Sequence, residues 1–168
     1  LDQGYMDELD QIAAIVKDSK MLFCSATIAV SLMPFCKKYL DSPVIIDLEN
    51  KSELKIKHIW IPIKHKERME VLDSLMATMQ PYLAIIFANK KETVKEIGAH
   101  LHGLGIDVAV LHGDLDQRQR KRTLREIADL KYQYVVASDL FARGIDIEGV
   151  SHIINFDLPY NYEFYVHR

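Results

Sequence analysis

Val135-Val136-Ala137-Ser138-Asp139-Leu140-Phe141-Ala142-Arg143-Gly144-Ile145-Asp146 is the stretch on which the reading of this chain turns. A β-branched apolar run stops at Ser138-Asp139. Small and polar residues follow, ending in Arg143-Gly144-Ile145-Asp146. Buried strands of parallel α/β sheets are continuous apolar runs up to their C-terminal edge, and ligands bind beyond that edge. A hydroxyl, two carboxylates, a guanidinium and a glycine gathered there suit phosphate and ribose. The expectation is an α/β fold with this segment at its binding edge.

Working outward, the chain keeps a strand–helix rhythm. Residues 58–63 alternate and read as a first strand, an edge one because of Pro62. Residues 66–79 read as a helix, 83–87 as a strand, and 91–104 as a helix ended by Gly103 or Gly105. A strand at 108–111 precedes a helix capped by Asp116 and running to about Leu130. Strands at 134–137 and 152–156 complete the set. Strands separated by helices imply a parallel sheet. Upstream, 6–18 and 29–40 read as helices, the latter with Pro34 in its first turns or bending it. Met21 to Ala26 and Val44 to Ile46 read as strands. The polar stretch 47–57 reads as a linker, so residues 1–46 and 58–168 are taken as separate domains.

Six segments in order make the chain resemble the DEAD-box ATP-dependent RNA helicases. Ser25-Ala26-Thr27 resembles motif III, and Ile85-Ile86-Phe87-Ala88-Asn89 resembles motif IV. His112-Gly113-Asp114 with Gln117-x-x-Arg120 resembles motif IVa. Ala137-Ser138-Asp139 through Asp146 resembles motif V, and Ile153 to Pro159 the strand after it. Tyr165-Val166-His167-Arg168 resembles the opening of motif VI. The resemblance implies a RecA-like parallel sheet of the P-loop NTPase type, spanning most of the second helicase domain, with the tail of the first before it. The family's phosphate loop and its Asp-Glu-Ala-Asp are not among these 168 residues, nor are the arginine fingers that follow motif VI. The piece alone is therefore expected to be inactive as an ATPase and to bind RNA weakly.

The resemblance also assigns roles. Ser25, Ala26 and Thr27 would couple the ATP and RNA sites, although as three residues alone they read as strand-end or cap residues. Gly144 and Asp146 would contact the nucleotide. A glycine lets backbone come close, and a neighbouring carboxylate suits a ribose diol. By themselves they are also a turn glycine and a capping aspartate. Ser138 would meet an RNA phosphate where the family usually has threonine. Arg143 would bridge within motif V. Gln117 and Arg120 would contact RNA, while Arg118, Lys121, Arg122 and Arg125 of the same run read as solvent-facing charges. Lys90 stands where many members have threonine and can still meet a phosphate. His112 reads as a strand-end histidine bonded to backbone. His167 and Arg168 would open motif VI but are expected to fray.

Composition bounds the rest. Hydrophobic residues make up 49% and charged residues 27%, ordinary for a globular chain. No membrane-spanning run or signal peptide is present in the sequence given. Cys24 and Cys36 lie in apolar stretches and read as buried, reduced thiols of a cytoplasmic protein. No ligand spacing suggests a bound metal. A net charge of −3 excludes a globally basic nucleic-acid binder. The expected ligands are ATP with Mg2+, held mainly by the first domain. The expected partners are single-stranded RNA, RNA duplexes and that first domain. A dimer or domain swap through residues 1–46 is a further expectation. Two rival readings stand beside this one: a non-catalytic RNA-binding module, and a DNA-acting superfamily 2 helicase.

Overall fold

The computed structural model describes residues 6–16, 19–24, 33–46, 56–63, 67–142 and 147–168. The chain divides into two compact units, Leu1–Lys57 and His58–Arg168.

In the first unit, α1 (Met6–Ile15) and α2 (Met33–Tyr39) are joined through Asp10. Its carboxylate takes an ion pair from Lys38 at 2.6 Å and a hydrogen bond from the Tyr39 hydroxyl at 2.5 Å. Those two donors, Lys38 first, hold the Asp10 carboxyl below its ordinary range. Pro34 sits in the first turn of α2, where its missing N–H breaks no helical bond. The described parts of the strands expected in this unit, Met21–Cys24 and Val44–Ile46, are not strands. Ser25 and Ala26 lie outside the described residues. Val44, Ile45 and Ile46 are 86, 61 and 70% exposed. Apolar runs become strands only where a neighbouring ladder takes their backbone groups, and no described residue of this unit supplies one. Cys24 is exposed and Cys36 only half-buried, against the expectation of buried thiols.

The second unit contains α3 (Arg68–Thr78), β1 (Ala84–Ala88), α4 (Lys91–Gly103), β2 (Val108–Leu111) and α5 (Gln117–Ala128). Then come β3 (Tyr134–Ser138), α6 (Asp139–Ala142), β4 (His152–Asn155) and α7 (Tyr162–His167). The strands form one parallel sheet in the order β2-β3-β1-β4. Side chains alternate across a strand, and here both faces are covered. Ala84, Ile86 and Val136 pack against Leu72 and Met76 of α3 and Val94, Ile97 and Leu101 of α4. Ile85, Phe87, Val135 and Ala137 pack against Ile127 of α5 and Phe141 of α6. That double burial is why β1 and β3 are unbroken apolar runs.

Local chemistry fixes the helix ends. Asp116 caps α5 by accepting from the Gln119 backbone N–H at 2.7 Å, and Gln119 returns a bond to the Asp116 N–H at 3.1 Å. Past α4, Gly105 takes φ +78°, the left-handed conformation that closes a helix C-terminus. Gly98 of α4 lies so close to β2 that a Cβ there would stand 2.6 Å from Val110 Cγ2. The expected edge strand at 58–63 is absent from the sheet. Pro62 has no N–H to donate, and Ile59, Trp60 and Ile61 remain 69, 83 and 41% exposed. His58 is tied instead to the Tyr165 hydroxyl of α7 through its Nδ1. The two short helices α6 and α7 were not expected.

Candidate functional site

The register brings the C-terminal ends of the strands level. Ala88 pairs with Ser138, Leu111 with Ala137, and Phe87 with Asn155. β1 leads into α4 on one face of the sheet, and its neighbour β3 leads into α6 on the other. Adjacent strands whose connections part to opposite faces mark the point where open α/β sheets bind ligands.

Several of the expected residues meet at that edge. Ser138 closes β3 and is 7% exposed. Lys90 is the N-cap of α4, two residues past the end of β1, and is exposed. Gln117 opens α5. Arg120, one turn on, lays its guanidinium over the Phe141 ring at 4.6 Å from the centroid. That stacking draws Arg120 toward the end of β3. Arg122 turns away and gives its Nε to Glu126 Oε1 at 3.1 Å. The candidates Ser25, Ala26, Thr27, Gly144 and Asp146, with Arg143, lie outside the described residues.

Sequence reasoning did not anticipate the part played by Asp114. Lys91 Nζ and Lys95 Nζ, one turn apart on α4, reach its two oxygens at 2.9 and 2.7 Å. Hydrogen bonds from Lys95 and then Lys91 pull the Asp114 carboxyl down to about 2, and Asp114 raises Lys91 in return. His112 Nδ1 accepts from the Asp114 backbone N–H at 3.3 Å, the backbone-bonded role expected of it. Burial, then the charge of Lys95, lowers its pKa. Two of the three lysines beside the edge are thus held by a carboxylate. Lys90 has no ion pair among the described residues. The signal that could have found this was the i, i+4 lysine pair on α4.

The end of the chain is also unlike the expectation. Arg168 does not fray; its side chain is 1% exposed. Its Nε donates to Asp139 Oδ1 at 2.5 Å and its Nη2 to Asn89 Oδ1 at 2.6 Å. Its Nη1 donates to Asn155 Oδ1 at 2.8 Å and to the Asp157 carbonyl at 2.7 Å. A guanidinium met by acceptors from three strand ends is held more firmly than terminal position suggests. Its neighbour His167 lies 3.8 Å from Glu163 Oε1. Asp139 Oδ2 is buried, with no hydrogen-bond partner among the described residues. Among the described residues no cluster of three His, Cys, Asp or Glu could hold a metal ion. No described helix is long and apolar enough to cross a membrane.

Comparison with known proteins agrees with this geometry. Residues 67–168 match the family described as helicase conserved C-terminal domain. The whole chain is similar to the DEAD-box ATP-dependent RNA helicase CshB of Bacillus subtilis, at 45% identity and covering 39% of that protein. The chain therefore spans about two fifths of the length of the curated relatives it matches. Among solved structures, a DEAD box protein from Methanococcus jannaschii aligns with a TM-score of 0.63 at 30% identity, covering 100% of this chain and 46% of that one. S. cerevisiae Dbp5 bound to RNA and ADP BeF3 aligns with a TM-score of 0.79, covering 99% of this chain and 45% of that one. At 24% identity that second likeness speaks for the fold alone.

Proposed function

The chain belongs to the DEAD-box helicase family as its helicase C-terminal domain, and on that premise we propose that its strand edge is one of two walls that close on ATP and single-stranded RNA. The other wall is the first RecA-like domain, and that domain, rather than a second copy, is the partner assigned to residues 1–46. In the intact protein the work is ATP-driven disruption or remodelling of RNA duplexes.

The observation that carries the reading is the junction of β1 and β3, where Lys90 and Ser138 follow paired strands and Arg120 is drawn in by Phe141. Lys90, Gln117, Arg120 and the Ser138 hydroxyl would meet backbone phosphates. Phosphate contacts give affinity without sequence readout, which suits an enzyme acting on many RNAs. On the nucleotide side, Gly144 would let the backbone approach, and Asp146 would accept hydrogen bonds from the ribose. Ser25, Ala26 and Thr27 would carry the state of one site to the other. Phosphoryl transfer is largely a matter of positioning charge around the γ-phosphate. Mg2+ would neutralise charge on the β- and γ-phosphates when bound; the described residues offer it no ligand cluster, so no step in this chain runs through it.

The test is ATP turnover by the full-length protein, with single-stranded RNA, with single-stranded DNA, and with neither. RNA should stimulate turnover and DNA should not. No turnover in any of the three conditions would favour a non-catalytic binding module, and equal stimulation by DNA would favour a DNA-acting enzyme. The 168-residue chain alone should bind RNA weakly and turn over no ATP. Asp146→Ala in the full-length protein should weaken ATP-dependent activity without unfolding it, as circular dichroism would check.

A further inference from the structure

We infer that Arg168 is a positioning residue that locks the turn after β1 to the turn after β3, so that the RNA-facing and nucleotide-facing segments of the edge move together. The inference rests on the reading of the edge given above. A guanidinium carries five N–H donors. Four directed bonds leave Arg168 for Asp139, Asn89, Asn155 and the Asp157 carbonyl. The group also lies 5.4 Å from the Phe87 ring centroid and is almost wholly buried. It has little left to offer a phosphate. What it does have is a grip on the residues that launch both functional segments.

Asn89 precedes Lys90, and its backbone N–H and both polar atoms of its side chain are engaged. Its backbone N–H donates to Asp157 Oδ2 at 3.0 Å, its Nδ2 to the Leu158 carbonyl at 2.9 Å, and its Oδ1 accepts from Arg168. Asp157 is held in turn by Arg68 Nη1 at 2.5 Å. On the other side, Asp139 opens α6, which leads directly into the segment carrying Gly144 and Asp146. Asp139 is buried, and the guanidinium neutralises it through one oxygen while the other has no partner among the described residues. Removing Arg168 outright would strand that buried charge, so a truncation could fail for reasons of stability alone. Asn89→Ala is the milder cut. It severs the β1 side of the lock and leaves Arg168 on Asp139. Arg168→Lys keeps the charge and loses the fork.

Two sites that move together must show a coupling factor, and it is reciprocal: if nucleotide tightens RNA, RNA tightens nucleotide by the same factor. The experiment uses the full-length protein, labelled single-stranded polyuridine RNA and the non-hydrolysable analogue adenosine 5′-(β,γ-imido)triphosphate with Mg2+. RNA affinity is measured with and without saturating analogue, and analogue affinity with and without RNA. Thermal melting is recorded for each variant. The unmodified protein should show a factor of about 5 to 150. In Asn89→Ala that factor should fall to about 1, with each isolated affinity within about twofold of the unmodified protein. Arg168→Lys should lose the factor as well. If Arg168→Lys does not fold, Asn89→Ala decides alone. A folded Asn89→Ala that keeps the full factor overturns the inference. So does one that weakens both ligands equally and leaves the factor intact, which is what a merely structural role would do. If the unmodified protein shows no factor at all, the reading of the edge itself has failed, and the lock falls with it.

Discussion

Replacing Arg120 by glutamine should change how RNA binding responds to salt more than it changes anything else. The guanidinium stacks on Phe141 beside the end of β3, while Arg122 on the same helix is occupied by Glu126. Each phosphate neutralised on a single strand contributes about −0.7 to the slope of log affinity against log salt. With Lys90 and Arg120 each meeting one phosphate, the 168-residue chain should show a slope of about −1.4. Raising salt from 50 to 200 mM would then weaken binding about sevenfold. Arg120→Gln should halve the slope to about −0.7, so the same change costs only about two- to threefold. Losing the stacked ring contact removes about 0.5–1 kcal/mol of stability, which a urea titration would register separately. The assay is fluorescence anisotropy of a labelled polyuridine oligonucleotide at four or more salt concentrations. Arg122→Gln is the control, and its slope should match the unmodified chain. Equal slopes for Arg120→Gln and the unmodified chain, or a drop in Arg122→Gln instead, would refute the reasoning.

The Asp114 carboxyl should titrate at about 2 rather than 3.8 by NMR, and substituting Lys91 and Lys95 by methionine should return it toward 3.8. Because its folded pKa is depressed, its contribution to stability is complete above 3.8 and is lost as pH falls toward about 2. Asp116→Ala removes the α5 cap and should cost about 1 kcal/mol in urea unfolding; an unchanged midpoint would mean the capping box contributes nothing. Gly98→Ala should cost about 1–3 kcal/mol in overpacking against Val110, offset by about 1 kcal/mol of helix propensity. Combined with Val110→Ala it should show a coupling of about 0.5–3 kcal/mol, whereas strict additivity would show that the helix simply shifts.

The sheet of the second unit was legible because burial on both faces leaves a strong trace: unbroken apolar strands, then a polar break. Asp116 could be read as a cap because its environment is local. His58–Ile63, Met21–Cys24 and Val44–Ile46 were misread for one shared reason. Apolar alternation records what a segment could bury, whereas a strand also needs a partner for its backbone, and that partner lies elsewhere in the chain. Arg168 escaped for a related reason. Its four acceptors come from Asn89, Asp139, Asn155 and Asp157, residues spread over 68 positions of sequence and joined only by the sheet. Asp114 escaped because it lies in the turn before α5 while its two lysines come from α4.

Helix α5 has a single fully buried side chain, Ile127, in its last turn, while Gln117 and Arg120 lie in its first. The helix is fastened at its tail, and the residues proposed to meet RNA lie at its head. Arg120 apart, whose guanidinium rests on the buried Phe141, substitutions at the head need not disturb the core, and substitutions that tune the core anchor need not touch the residues proposed to meet RNA. Selection can therefore adjust substrate handling and fold stability nearly independently along twelve residues. Lineages with quite different basic patterns on this helix should still share the branched apolar anchor at its end.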